Sequence, residues 1–201
     1  MDKLLFSKFS YERAEQFRIR TDILEKEDGS RCVRKYAGNQ EAAAHLDTIH
    51  RAFLSLQEEY CRNDMVDINH CVQKENYLEL EYIEGNTYES LLDSYYDKGQ
   101  MELLTDEVKR YVKILKSQIN MIPFTPTDAF ADVFGEVNFP EDMESFSISN
   151  IDLIFGNIIV NDKWNIVDYE WTFDFPIPVN YIFFRAIHYY AVSSRRHLLN
   201  A

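Results

Sequence analysis

The apolar positions change period several times along the chain, and each change marks an element. In residues 16–26 (QFRIRTDILEK), Phe17, Ile19 and Ile23 stand among polar residues, a strand pattern. Glu27-Asp28-Gly29 is a hairpin turn signal, and residues 31–37 (RCVRKYA) supply the returning strand. From Asn39 the spacing shifts to fours and threes. Ala42, Leu46, Ile49, Phe53, Leu56 and Tyr60 form one stripe of a long amphipathic helix, with Asn39 as its N-cap. Two further strands are expected at 65–73 and 77–83, the second with Leu78, Leu80 and Tyr82 on one face.

Glu84-Gly85-Asn86 then breaks the pattern, and helix resumes near Thr87. A lobe boundary is placed here, between residues 1–84 and 85–201. A second helix is predicted from Thr105, as cap, through Val108, Tyr111, Val112, Leu115 and Ile119. Pro123, Pro126 and Pro140 punctuate a long loop-like region. A polar loop ending at Asn157 leads into a strand at 158–160, a turn at Asn161-Asp162-Lys163, and a strand at 164–167. Residues 181–199 read as an aromatic-rich helix with Phe183, Phe184, Ile187 and Tyr190 in the core. Strands grouped first and helices later make an α+β chain.

Composition narrows the class. The 201 residues are 46% hydrophobic and 14% aromatic, enough to bury a core as one domain or two small lobes. A net charge of -13 argues against a surface that tracks nucleic acid or anionic lipid. Any anionic ligand therefore needs local cations and a metal ion. Cys32, Cys61 and Cys71 form neither a CxxC pair nor an even set, which points to a reducing, cytoplasmic setting. The N-terminal stretch has no signal-peptide core, and no run approaches the roughly 20 apolar residues of a membrane span.

The candidate chemistry lies in residues 149–160 (SNIDLIFGNIIV) and 166–171 (IVDYEW). Asp152 is followed five positions later by Asn157, then by a short hairpin and Asp168. Phosphoryl transfer needs one carboxylate to accept a hydroxyl proton and hard oxygen ligands to hold Mg²⁺ on the phosphates. On this reading Asp152 is the proton acceptor, Asn157 and Asp168 hold the metal, and Glu170 assists from the strand end.

These residues resemble the catalytic loop and metal-binding aspartate of the protein-kinase-like superfamily, with Asp168-Tyr169-Glu170 in place of Asp-Phe-Gly. An Asp-aromatic-Glu version is similar to the sugar, choline and aminoglycoside phosphotransferases. Residues 31–45 (RCVRKYAGNQEAAAH) and the block from Asp152 to Arg185 also resemble kinase-like domains of bacterial surface-polysaccharide systems, often joined to glycosyltransferases or methyltransferases. The resemblance implies a two-lobed kinase-like α+β fold: a small antiparallel-sheet N-lobe with one long helix, and a reduced, mostly helical C-lobe. It implies ATP and Mg²⁺ as cofactors and a sugar or glycan hydroxyl as acceptor. Lys35 matches the lysine on the α- and β-phosphates. Glu41 is the first choice for its ion-pair partner, with Asp47 and Glu58 as alternatives. Residues 81–85 (EYIEG) resemble the hinge, placing Glu81 and Ile83 at the adenine.

Three departures qualify the match. Residues 7–14 contain no glycine where a phosphate-covering loop should lie, so the side chains of Ser7, Ser10 or Arg13 would have to substitute. Asn150 stands where the common motif has histidine. The stretch beyond Asp168 is short for a full substrate lobe, which leaves open a pared-down domain, a fragment, or a catalytically inactive binding module on a glycan-modifying enzyme. Taken singly, Asp152 and Asp168 are ordinary turn residues and Lys35 an ordinary strand lysine; the pattern carries the reading. His45 and His50 share a helix without facing one site, and His70, His188 and His197 stand alone, so zinc is not expected. A carboxylate-pair glycoside hydrolase using Asp152 with Asp168 or Glu170 is a third reading, and it leaves Lys35 and Asn157 without a role.

Overall fold

The computed structural model describes residues 2–60 and 65–192. In chain order the first elements are β1 (Lys3–Phe9), β2 (Ile19–Glu25), β3 (Arg31–Ala37), α1 (Ala43–Tyr60), β4 (Val66–Ile68), β5 (Cys71–Gln73), β6 (Leu78–Glu81) and β7 (Asn86–Thr87). There follow α2 (Tyr88–Asp97), α3 (Met101–Gln118), β8 (Met121–Pro123), α4 (Asp128–Phe134), β9 (Glu144–Phe146), β10 (Ser149–Asn150), β11 (Ile158–Val160), β12 (Trp164–Ile166), β13 (Thr172–Phe173) and α5 (Val179–Val192). The chain divides into two compact units, residues 1–54 with 69–84, and residues 55–68 with 85–201. Strands first and helices later, with an antiparallel sheet at the front, is the expected α+β arrangement.

The first unit is a five-stranded antiparallel sheet in the order β1-β2-β3-β6-β5. Its β2–β3 hairpin turns where the sequence places it. Gly29 takes φ +82, and Asp28 Oδ1 accepts from both the amide and the hydroxyl of Ser30. Asn39 Oδ1 accepts from the Ala42 amide at 2.9 Å, so it caps the turn that leads into α1. The predicted stripe is buried in full, Ala42, Leu46, Ile49, Phe53, Leu56 and Tyr60 alike. One sheet face carries a polar lattice instead. Arg34 Nε donates to Glu79 at 2.8 Å, Lys26 reaches the same carboxylate at 3.1 Å, and Arg34 also pairs with Asp2. Burial opposes it, yet the hydrogen bonds from Arg34 and Lys26 hold Glu79 below its usual pKa. Arg20 lies over the Tyr36 ring at 4.3 Å, and Arg34 over Tyr77 at 5.0 Å.

The second unit joins β4-β12-β11-β7 in a mixed sheet, with β4 parallel to β12. The β11–β12 hairpin turns through residues 161–163 as read from the sequence. Gly85 is required here: at φ +145, a Cβ would stand 2.4 Å from Asn161 Oδ1. The core is aromatic. Tyr88 meets Trp164 at 4.7 Å, Tyr111 meets Phe155 at 4.9 Å and Phe183 at 5.8 Å, and Phe155 meets Tyr190 at 5.7 Å.

Several elements differ from expectation. The strand expected over 65–73 is two strands, because Val66–Ile68 pairs with β12 and Cys71–Gln73 with β6. Thr105 lies inside α3 and donates to the Met101 carbonyl at 2.8 Å, since the helix starts directly after the turn at Gly99. The proline-punctuated loop contains α4, capped by Thr127, whose Oγ1 accepts from the Phe130 amide. It also contains the β8–β9 pair. Phe184 and Ile187, expected in the core, are 60% and 41% exposed. The helix is apolar nearly all round, so composition could not tell its inner face from its outer one. Cys61, His197 and the part of the predicted last helix beyond Val192 lie outside the described residues.

Candidate functional site

Asp152 sits in a loop whose backbone is held by side chains from distant segments. β10 pairs with β13, and the Ile151 amide donates to the Trp171 carbonyl at 3.0 Å. Asn150 is fully buried, and its Oδ1 accepts from the Asp152 amide at 2.8 Å. The histidine position of the common motif is thus filled by a side chain that ties the loop to itself. The Asn150 amide nitrogen meets no acceptor among the described residues. Asn157 Nδ2 donates to the Asp152 carbonyl at 3.1 Å, and the Asn157 carbonyl accepts from the Val167 amide at 3.0 Å. The buried Tyr111 hydroxyl donates to the Leu153 carbonyl.

Asp152 is 7% exposed. Its pKa is pushed up to about 6, first by burial and then by the Asp168 charge, with Glu170 adding and Arg185 opposing. Arg185, from α5, donates Nε to the Ile151 carbonyl at 2.9 Å and stands 3.4 Å from Asp152 Oδ1 through Nη2. Its guanidinium lies 4.6 Å from the Tyr189 ring centre. The structure therefore brings Asp152, Asn157, Asp168 and Glu170 into one neighbourhood and adds Arg185, which the sequence reading did not single out. A signal for it was present: Arg185 is the only charged residue in the fourteen of α5.

Among the described residues, no three His, Cys, Asp or Glu side chains gather as a metal cluster. A donor set of Asn157 and Asp168 still fits Mg²⁺, which takes one or two protein oxygens and completes its shell with phosphates and water. Because Asn157 spends its amide nitrogen on the Asp152 carbonyl, Oδ1 is the end left to ligate.

The expected nucleotide residues lie in the first unit. Lys35 is buried on β3, opposite Thr21 and Leu78. Glu41 is exposed in the turn before α1. Asp47 accepts from Gln73, and Glu58 is exposed further along α1. Glu81 uses both backbone groups inside the unit, donating to the His70 carbonyl and accepting from Asn69 Nδ2 at 3.1 Å. A cavity of about 350 Å³ beside this segment is lined by Cys32, His70, Glu81, Tyr82 and Ile83, among others. It brings Glu81 and Ile83 together, but not Lys35 or Glu41. Ser10 Oγ is spent on both backbone groups of Ile19, and Ser7 Oγ donates to Asp22. The proposed phosphate-covering serines are therefore engaged in the sheet.

No helix among the described residues is long and apolar enough to cross a membrane. No protein-family model and no curated protein matches the chain. Among solved structures it is similar to the macrolide 2'-phosphotransferase apoenzyme of Brachybacterium faecium, at 10% identity and TM-score 0.46, over 92% of this chain and 76% of that one. It is also similar to a type I macrolide 2'-phosphotransferase, at 13% identity and TM-score 0.47, over 99% and 76%. A third similarity is to the streptomycin–ATP ternary complex of APH(2")-IIa, at 13% identity and TM-score 0.40, over 95% and 79%.

Proposed function

We propose that this chain is a kinase-like phosphotransferase that uses ATP and Mg²⁺ to phosphorylate a sugar or glycan hydroxyl, in the cytoplasm and in surface-polysaccharide metabolism. Asp152 is the observation that carries the reading: a buried carboxyl poised near neutrality beside two further acids and an asparagine. A general base works best with a pKa near the working pH. In the proposed reaction the acceptor oxygen attacks the γ-phosphorus, the bond to the β–γ bridging oxygen breaks, and the hydroxyl proton passes to Asp152. Bound at Asn157 and Asp168, Mg²⁺ would neutralise the phosphate charge. Residues 1–84 would form the nucleotide-binding lobe and 85–201 the catalytic lobe. Lys35 is assigned to the phosphates, and Ile83 and Glu81 to the adenine. Glu41 is assigned as the ion-pair partner of Lys35.

Thermal unfolding with and without Mg-ATP tests the nucleotide site. At 100-fold over its dissociation constant a ligand stabilises by about 2.7 kcal/mol, or about 5–10 °C for a domain of this size. The shift should require Mg²⁺ and disappear in Asp168→Ala. Asp152→Asn should lower transfer by about 10²- to 10⁴-fold while nucleotide still binds. Normal turnover by that variant would exclude Asp152 as the base.

A second reading is a non-catalytic module, alone or joined to a glycosyltransferase or methyltransferase. It is favoured by the β1–β2 connection, where Ser10 is committed to the sheet and no glycine occurs in 7–14. Its signature is nucleotide binding without transfer to any glycan, or no binding at all.

A further inference from the structure

We propose that Lys8, on β1, is a second cation for the polyphosphate of the nucleotide, flanking it opposite Lys35 and taking the place of the glycine loop that this chain lacks. The inference rests on the phosphotransferase reading above. Four strands of the first sheet are in register across one face. Lys8 pairs with Thr21, Thr21 with Lys35, and Lys35 with Leu78. Directly paired residues share a face with Cβ atoms about 5 Å apart, so Lys8 and Lys35 stand about 10 Å apart with only Thr21 between them. The next row on that face is Phe6, Ile23, Val33 and Leu80, again in register. One row is thus apolar and uncharged, and the row beside it holds two lysines and no acid.

Charge and exposure favour a polyanion there. The chain carries -13, yet this row presents two positive charges, whose mutual repulsion an anion between them relieves. Lys35 is buried, Thr21 is half-buried and Lys8 is exposed, so the row opens towards β1. The four-carbon stem of Lys8 lets its ammonium group reach over Thr21 to an anion held at Lys35. A molecule with an apolar plate and an anionic tail matches the two rows, as a nucleotide does. The β1–β2 connection shows why a side chain is needed. Ser7 and Ser10 are engaged with Asp22 and Ile19, and residues 7–14 offer no glycine through which backbone amides could close on a phosphate. Lysine on an edge strand also keeps the strands of other molecules away. Lys3, on the same strand, fits that role, because it faces Glu25 and stands 3.7 Å from its carboxylate. Lys8 faces Thr21 instead.

Calorimetric titration of Mg-ATP and of adenosine into the 201-residue chain and two variants tests this. Lys8→Gln should weaken Mg-ATP binding about tenfold, the scale of one partly solvated, charge-assisted contact. Adenosine, which carries no phosphate, should bind Lys8→Gln as it binds the parent. Lys3→Gln should bind Mg-ATP as the parent does. Unchanged Mg-ATP affinity in Lys8→Gln would overturn the proposal and leave the phosphotransferase reading standing, with Lys8 a protective edge charge. A loss shared by Lys3→Gln, or one equally large for adenosine, would also overturn it, since a general field or a disturbed strand would then account for the effect. A parent chain that binds no Mg-ATP would remove the phosphotransferase reading itself, and the proposal with it.

Discussion

The sheet of the first unit and the core of the second reach order by different physics. Around β3 and β6, part-buried ion pairs join Arg34 and Lys26 to Glu79, and Arg20 and Arg34 lie over tyrosine rings. Such contacts are individually weak and screened by salt. Around Asp152, Trp164, Tyr88, Tyr111 and Phe155 are almost wholly buried, and the loop's polar groups are met by buried side chains. Removing one of those partners leaves a stranded group or a cavity. The lattice can change piecemeal, whereas the aromatic core cannot.

The sharpest break of this contrast is Trp164→Ala, which should cost about 3–5 kcal/mol in urea unfolding. A loss below about 1 kcal/mol would mean the aromatic core is not what holds the second unit. Next comes the Asp152 charge. Its carboxyl titrates near 6 in the fold against a usual 3.8. Above pH 6 it is ionised in both states, and the fold bears a penalty of about 3 kcal/mol at 1.36 kcal/mol per unit. As pH falls from 6 towards 4 the native state takes up the proton first, and the penalty lifts. Asp152→Asn should therefore be more stable than the parent at pH 8, with the gain shrinking by pH 4.5. An equal difference at both pH values would contradict the buried-charge account.

Tyr111→Phe should cost about 1–3 kcal/mol by stranding the Leu153 carbonyl, which a denaturant midpoint will show. The smallest effect is expected from Glu79→Gln in the sheet lattice, at most about 1 kcal/mol and fading with added salt. If Glu79→Gln proved as costly as Tyr111→Phe, the two regions would not differ in kind.

What the sequence showed follows the range of each signal. The β2–β3 hairpin was legible because Glu27-Asp28-Gly29 acts within three residues. The α1 stripe was legible because its period repeats over a whole helix. Asp152, Asn157 and Asp168 share one stretch of seventeen residues, so their pattern could be read as a unit. Arg185 acts on Asp152 from 33 positions away, and no local pattern reports such a contact. Helix α4 was hidden by flanking prolines that do not enter it, and the break between β4 and β5 depends on which strands they pair with. Phe184 failed for a related reason: in a helix that is apolar nearly all round, apolar character alone does not say which side faces the core.

The loop around Asp152 has one more consequence. Its amide is held by Asn150, its carbonyl by Asn157, and the flanking carbonyls by Arg185 and Tyr111. The backbone has already lost its freedom before any ligand arrives, leaving only the carboxyl's own torsions. For any molecule bound against this loop, the entropy still to be lost would belong to the incoming molecule, so a stiff one would be favoured over a floppy one of the same polarity.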